Sequence, residues 1–467
     1  MATVCTRFAP SPTGFLHIGN ARTALFAFLF AHQQGGRFIL RIDDTDRRRF
    51  SSEFLNDIFD SLQWLHLTWD QGPYYQSDNL DLYREKIEEL LRTDKAYRCY
   101  CTSGELESKR KAALAAGRKP IYDRTCRSLP PPANSNKPFT VRFKAPLEGE
   151  TVVTDLIKGN VLFQNQELDD LIILRSDGMP TYNFCSVVDD ATMEITHIVR
   201  GDDHLANTPR QVLLFQSLDT PLPVFAHLPL IFGPDHTPLS KRHGVTSVRA
   251  YRESGYLPEA LVNFLVRLGW SSGDQEIFTQ EELITRFHLK DVGKSAGIFN
   301  ADKLLWLNSH YIKERPLPRL AQEVEPFILQ KGYTLNSESA WLEKMVATLQ
   351  PRAKTLVGLV ESAHFYLNSE ISIDPKAQAK FLTPKIRPVL SGLKERLAQI
   401  QHWESGTIHG AFEEVMQEHH LGLGKIAQPV RVALTGGTAS PGIFEVMDVL
   451  GRERTLFRLD HALTAII

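Results

Sequence analysis

The run from Val4 to Ile42 constrains this fold more than any other stretch. Val4 to Ala9 has strand character, Pro10 to Gly19 is a Pro/Gly/Ser loop, and Asn20 is placed to cap a helix reaching about Gln34. Gly35-Gly36 stops that helix, and a second strand, Phe38 to Ile42, ends at Asp43-Asp44. Strand, helix and strand in that order make one βαβ unit, so the two strands are expected to run parallel. The apolar run Ala24 to Ala31 is then a buried crossover helix, far short of the ~20 apolar residues that span a membrane. Ligands of open parallel sheets bind beyond the carboxyl ends of the strands, where loops and helix N-termini converge. Arg7, the loop Ser11 to Gly19, and Asp43 are expected in one such crevice.

The α/β pattern breaks from about Tyr97 to Val188, where a Lys/Arg/Ala stretch, prolines at 130–132 and short alternating runs such as Phe139 to Phe143 read as an insertion. It resumes with a strand, Ile195 to Arg200, then Gly201-Asp202-Asp203-His204, and a helix with Thr208 as N-cap and Pro209 as its first residue. Another strand, Pro229 to Phe232, leads into the loop 234–244. Beyond Tyr251 the spacing is helical almost throughout, as in Pro258 to Leu268, Gln280 to Phe287, Ala301 to Asn308 and the segments from Leu317 to His420, ending in an amphipathic helix. The expectation is an α/β nucleotide-binding fold split by an α+β insertion and followed by all-helical domains.

A chain of 467 residues exceeds one ordinary core and calls for roughly three to five units. The N-terminal residues have neither a basic leader nor a signal-type apolar segment, so a cytoplasmic setting with no membrane association is expected. Five cysteines are too few, and odd in number, for a disulfide framework. The net charge of −2 gives no sign of a nucleic-acid partner, so any RNA-binding surface must be local.

Two loops carry chemistry. The first is Ala9-Pro-Ser-Pro-Thr-Gly-Phe-Leu-His17-Ile-Gly19-Asn20, with an imidazole and a glycine at the mouth of a helix, where backbone N–H groups favour phosphate. The second, about 220 residues later, is Pro238-Leu-Ser-Lys-Arg-His-Gly244, which offers Lys241 and Arg242 to charge developing as pyrophosphate leaves. Alone, the first reads more readily as a histidine in a tight turn, and the second equally as a solvated basic loop. Their pairing, order and separation are more specific.

Together these loops resemble the HIGH and KMSKS signatures of class I aminoacyl-tRNA synthetases. The wording around them is similar to the glutamyl branch of bacterial type: Phe8-Ala-Pro-Ser-Pro-Thr-Gly, Arg41-Ile-Asp-Asp-Thr-Asp, Gly72-Pro-Tyr-Tyr-Gln-Ser, Asp177-Gly-Met-Pro-Thr-Tyr-Asn-Phe, Val188-Asp-Asp and Val199-Arg-Gly-Asp-Asp-His. The resemblance runs closely from residue 3 to about 310 and more loosely beyond. It implies a split Rossmann-like catalytic domain at 1–97 and 189–245, an acceptor-end-binding insertion at 98–188, a stem-contacting domain at 246–315, and helical anticodon-binding units at 316–375 and 376–467. It implies catalytic roles for His17, Gly19, Ser240, Lys241 and Arg242. ATP would be held by Pro10, His17, Gly19, Asn20, His204 and Lys241, with Mg2+. L-glutamate would be held by Arg7, Ala9, Ser11, Asp43, Tyr182 and Arg200, with Arg200 near the side-chain carboxylate. The implied product is tRNA(Glu) esterified through a glutamyl adenylate, made by a monomer that binds tRNA before activating glutamate; whether tRNA(Gln) is also charged stays open. Three positions depart from the family pattern: Asn20 replaces the second histidine of the first signature, Pro238 replaces the first lysine of the second, and Asp43 stands where many relatives carry Glu.

The rival readings are a glutaminyl-tRNA synthetase, a truncated tRNA-modifying enzyme, a small-molecule adenylyltransferase and a non-catalytic RNA-binding relative. They lack, respectively, the Pro-Ser-Pro-Thr-Gly loop, the length, the helical tail and the intact signatures. Gly293-Lys294-Ser295 is read as a turn, because His288 stands where a phosphate-binding loop needs glycine, and Arg47-Arg48-Arg49 as a solvated helix face. Cys99, Cys101 and Cys126 are grouped as zinc thiolates would be. In the family pattern Tyr122 would be the fourth ligand; the alternative is three reduced structural thiols. Lys376, Lys380, Lys385, Arg387, Lys394 and Arg396 share 21 residues with the single acid Glu395, the best local candidate for RNA phosphate contact.

Overall fold

In chain order the N-terminal part runs β1 (Cys5–Phe8), α1 (Ile18–Gln33), β2 (Arg37–Ile42), α2 (Ser52–Trp64), β3 (Gln71–Tyr75), α3 (Leu80–Arg92), β4 (Ala96–Cys99), α4 (Ser103–Ala115), β5 (Thr140–Phe143), β6 (Glu150–Asp155), β7 (Gly159–Gln164), β8 (Ile172–Leu174), α5 (Tyr182–Thr192), β9 (His197–Gly201), α6 (Thr208–Ser217) and β10 (Val224–Leu228). This computed structural model describes residues 3–130, 137–240, 242, 245–335 and 339–466. Strand β1 is buried along its whole length and β2 from its second residue, so both faces of the sheet need cover. Helix α1 covers part of it, burying Leu25, Phe26, Phe28, Leu29 and Phe30, each worth about 2 kcal/mol, while Cys5 and Ile39 pack into a core shared with Tyr83 and Ile87 of α3 and Phe184 and Val187 of α5.

Strands β1, β2 and β3 pair in parallel, as do β9 and β10. The two sets meet where the Thr196 N–H donates to the Cys5 carbonyl at 3.0 Å and the Cys5 N–H donates to the Thr196 hydroxyl at 2.8 Å. The resulting order β3-β2-β1-β9-β10 reverses direction between β1 and β9. That reversal is the switch point at which a doubly wound sheet opens its ligand crevice. Part of the stretch expected as an insertion belongs to this same sheet: β6 pairs parallel with β10 and antiparallel with β7. Only β4, β5 and β8 form a separate antiparallel sheet.

Two caps differ from expectation. Helix α1 starts at Ile18, and its cap is His17, whose Nδ1 accepts the Gly19 N–H; Asn20 already lies inside the first turn. Helix α6 includes Thr208, with Asn207 in the N-cap position, because the Thr208 hydroxyl turns back to the His204 carbonyl. Arg47-Arg48-Arg49 forms an exposed turn, not a helix face, with Arg49 paired to Asp46 at 2.8 Å.

The chain divides into two compact units, Met1–Arg252 with Pro258–Ala301, and Glu253–Leu257 with Asp302–Ile467. The second is helical, from Leu317–Gln330 to Ile443–Ala465, whose course breaks at Gly451 (φ 77°). Within it Asn308 is buried, accepting the Leu257 N–H at 2.7 Å and donating to the Lys354 carbonyl at 2.7 Å. The basic cluster there is partly neutralised by residues distant in sequence: Lys394 pairs with Asp460 and Arg396 with Glu414 and Glu418, while Arg387 is held, still charged, by the Ile466 carbonyl. Among the described residues no helix is long and apolar enough to cross a membrane.

Candidate active site

Backbone hydrogen bonds bring the two signature loops together. The Ile18 N–H donates to the Thr246 carbonyl and the Val248 N–H to the Leu16 carbonyl, both at 2.9 Å, so the segment leaving the basic loop is stitched to the mouth of α1. On the other side of that loop the Leu239 N–H donates to the Ile231 carbonyl at 2.9 Å. Lys241, His243 and Gly244 lie outside the described residues. Arg242 is exposed and folds onto its own loop, pairing with Asp235 at 3.6 Å and donating to Thr237. Ser240 sits next to the crevice wall formed by Pro238 and Leu239.

The crevice at the switch point is lined by Arg7, Ala9, Pro10, Ser11, His17, Gly19, Asn20, Tyr182, Arg200 and His204, all named from sequence. Arg22 and Asp203 also line it, and sequence reasoning missed both. The mouth of α1 has fewer free amides than expected, since Ile18 and Gly19 already donate within the chain. Stabilising a phosphate therefore falls more heavily on side chains. Burial lowers the His17 pKa, which favours the neutral ring, and because Nδ1 accepts from Gly19 its proton sits on Nε2, a donor for an anionic oxygen. A Cβ at Gly19 would come within 3.3 Å of His17 Nδ1 and crowd that ring.

At the end of β9, Arg200 donates through Nε to His227 Nε2 at 3.1 Å and through Nη2 to the Thr208 hydroxyl at 2.8 Å. Its Nη1 is buried and has no hydrogen-bond partner among the described residues. Burial lowers its pKa to about 10, which still leaves it protonated at neutral pH. At the end of β1, Arg7 donates to Asp190 at 3.1 Å. Arg41 also donates to Asp190, at 2.6 Å, and to Asp43 at 2.8 Å. Asp43 is thus turned into a buried ion-pair cluster behind Arg7 and is not among the residues lining the crevice. Burial alone would raise the Asp190 pKa; Arg7 and Arg41 outweigh it and hold the carboxyl below its usual range. The one clue to this cluster in sequence was two adjacent carboxylates, Asp189 and Asp190, in a helix whose preceding residues are mostly apolar. Tyr182 and His204 meet at the crevice rim, hydroxyl to Nδ1 at 3.3 Å.

The cysteine cluster is also assembled. The sulfurs of Cys99, Cys101 and Cys126 all lie within 4.8 Å of one another, close to the ~3.8 Å that Zn–S bonds of ~2.3 Å impose on a tetrahedron. The Tyr122 hydroxyl lies 3.3 Å from Cys99 Sγ and 3.6 Å from Cys101 Sγ, and Arg142 stacks on its ring at 3.8 Å. Donor types and spacing fit a zinc ion.

Comparison with known proteins agrees with this geometry. Residues 3–306 match the family described as tRNA synthetases class I (E and Q), catalytic domain, and residues 319–463 match the anticodon binding domain family. Sheet, crevice and paired signature loops thus define a class I aminoacyl-tRNA synthetase. The chain is 53% identical over 463 residues to the glutamate–tRNA ligase of Citrifermentans bemidjiense, and 54% identical over 462 residues to that of Geobacter sulfurreducens. In both cases 99% of each chain is covered. A crystal structure of a glutamate tRNA ligase from Elizabethkingia meningosepticum, in complex with its amino acid, matches with a TM-score of 0.90 at 32% identity over 100% of both chains. This chain belongs to the glutamate–tRNA ligase family, whose class uses ATP.

Proposed function

We propose that this chain joins L-glutamate to the 3′-terminal adenosine of tRNA(Glu) through a glutamyl adenylate, working as a cytoplasmic monomer. The observation that carries this reading is the buried Nη1 of the protonated Arg200 in the crevice, which has no hydrogen-bond partner among the described residues and complements a carboxylate. The α-carboxylate of glutamate attacks the α-phosphate of ATP and pyrophosphate leaves. A ribose hydroxyl of the terminal adenosine then takes the glutamyl group and AMP leaves.

Each side chain has a role in these steps. Arg200 meets the side-chain carboxylate; Arg7, braced by Asp190 and through it by Arg41 and Asp43, meets the α-carboxylate with Ser11 and Ala9 beside it. Tyr182 offers a polar acceptor to the ammonium group. Pro10, Gly19, Asn20 and His204 border the nucleotide, and His17 donates to its phosphates. Lys241, in one loop with Ser240 and Arg242, stabilises the charge of the departing pyrophosphate, which Mg2+ would accompany. Residues 98–188 and 246–315 contact the acceptor end and stem, and the units at 316–375 and 376–467 read the anticodon.

Charging purified tRNA with labelled glutamate tests this reading. Glutamate is expected to become attached to tRNA(Glu) in an ATP-dependent, base-labile ester, and parallel tRNA(Gln) reactions decide whether that species is a second acceptor. Failure to acylate tRNA(Glu) would sink the proposal.

The cysteine cluster makes a separate prediction. Protein purified without chelator should carry about one zinc per chain, bound by Cys99, Cys101, Cys126 and Tyr122, and Cys101→Ser should lose it. Metal analysis showing none, with charging intact, would leave these residues a packing role.

A further inference from the structure

Arg200 has three polar nitrogens, and two of them face a relay behind the crevice. In the parallel ladder His227 of β10 is the direct partner of Arg200 of β9, so their side chains project on the same face. His227 is fully buried, and its Nδ1 lies 2.6 Å from Asp155 Oδ2 at the end of β6, a carboxylate itself without exposure. Asp155 also accepts the backbone N–H groups of His227 at 2.9 Å, Ile157 at 2.9 Å and Lys158 at 2.7 Å. An acceptor that well held demands the proton on His227 Nδ1. The opposite nitrogen, Nε2, is then a lone-pair acceptor for the Arg200 Nε–H at 3.1 Å, with the Thr208 hydroxyl 3.0 Å away. Burial lowers the His227 pKa, in keeping with a neutral ring whose Nε2 remains an acceptor.

We propose that His227, with its tautomer set by Asp155, is a specificity-determining positioning residue: it orients the Arg200 guanidinium so that Nη1 alone is left to meet the substrate's side-chain carboxylate. This rests on the reading that Arg200 binds that carboxylate. His227 touches no substrate. Its effect is geometric, since a guanidinium free to rotate by one staggered step would move its free N–H away from the crevice and weaken the distinction between a carboxylate and an amide. Asp155 lies in the stretch that sequence assigned to the insertion, so this part of the amino-acid site is completed by a strand from outside the two catalytic halves.

Two amide replacements, each keeping one of the two ring-nitrogen positions, separate positioning from simple packing. In His227→Gln the amide oxygen reaches the place of Nε2 and still accepts from Arg200. In His227→Asn the shorter amide reaches Asp155 but not Arg200. Both leave the three backbone donors on Asp155, so that corner of the fold keeps its hydrogen bonds. With L-glutamate as the probe, His227→Asn is expected to raise its KM roughly 10- to 100-fold, the size of one hydrogen bond to a charged group. It should also lower the preference for glutamate over glutamine, with kcat and the KM for ATP little changed. His227→Gln is expected to restore most of the lost glutamate affinity. Equal glutamate KM values in the two variants, or a fall in melting temperature without a KM change, would overturn the relay. If Arg200→Gln also leaves the glutamate KM unmoved, the underlying assignment of Arg200 has failed; if Arg200→Gln raises it and His227→Asn does not, the relay alone is wrong.

Discussion

Replacing Arg200 with Gln is expected to raise the KM for glutamate by roughly 30- to 1,000-fold, the range for removing one partner of a buried charge pair. The KM for ATP should change little, because none of the Arg200 hydrogen-bond partners is one of the signature-loop residues. The magnitude follows from burial. His227, kept neutral by burial, and the Thr208 hydroxyl are the guanidinium's hydrogen-bond partners, so its positive charge has no ion partner at hydrogen-bond distance among the described residues. Glutamate supplies one. Glutamine has the same shape but no charge, and would leave a desolvated cation uncompensated at a cost of a few kcal/mol. The variant should therefore also lose much of its preference for glutamate over glutamine. Initial rates of pyrophosphate exchange with each amino acid measure both quantities; unchanged values would make Arg200 a brace for the end of β9.

The second large effect concerns Lys241. Lys241→Ala should lower the turnover of adenylate formation by roughly 10²- to 10³-fold, the size seen for one electrostatic donor at a transition state. With Pro238 at the other lysine position, Lys241 is the one lysine in its loop motif. The mouth of α1 adds little, because its first two amides are already bonded within the chain. Ground-state affinity for ATP should fall much less than turnover, since the charge Lys241 meets grows as pyrophosphate departs. Single-turnover adenylate formation followed by rapid quench separates the two. A normal rate would remove Lys241 from the chemistry.

The features legible in the sequence were those set by local pattern. The first βαβ unit and the buried run in α1 fall where spacing placed them, because strand and helix periods act over short distances, while ten residues that the family resemblance implied for the site line one crevice. What was not legible depends on register across the sheet. The Arg200 hydrogen bonds reach His227 and Thr208 rather than its sequence neighbours Asp202 and Asp203, because the β9–β10 ladder sets Arg200 beside His227. Asp43 looked like a substrate contact at a strand end, but Arg41, two residues earlier on the same face, captures it. Asn20 has good capping chemistry, yet the side chain in reach of a free amide was His17. The basic cluster between Lys376 and Arg396 seemed almost free of acids only within its own window, since Glu414, Glu418 and Asp460 fold back onto it.

One crevice is proposed to activate glutamate with ATP on behalf of tRNA. ATP–pyrophosphate exchange, run with each amino acid in the presence and absence of tRNA(Glu), tests it most directly. Exchange is expected to require glutamate and to rise strongly when tRNA(Glu) is added. Exchange driven by glutamine, or by no amino acid at all, would contradict it.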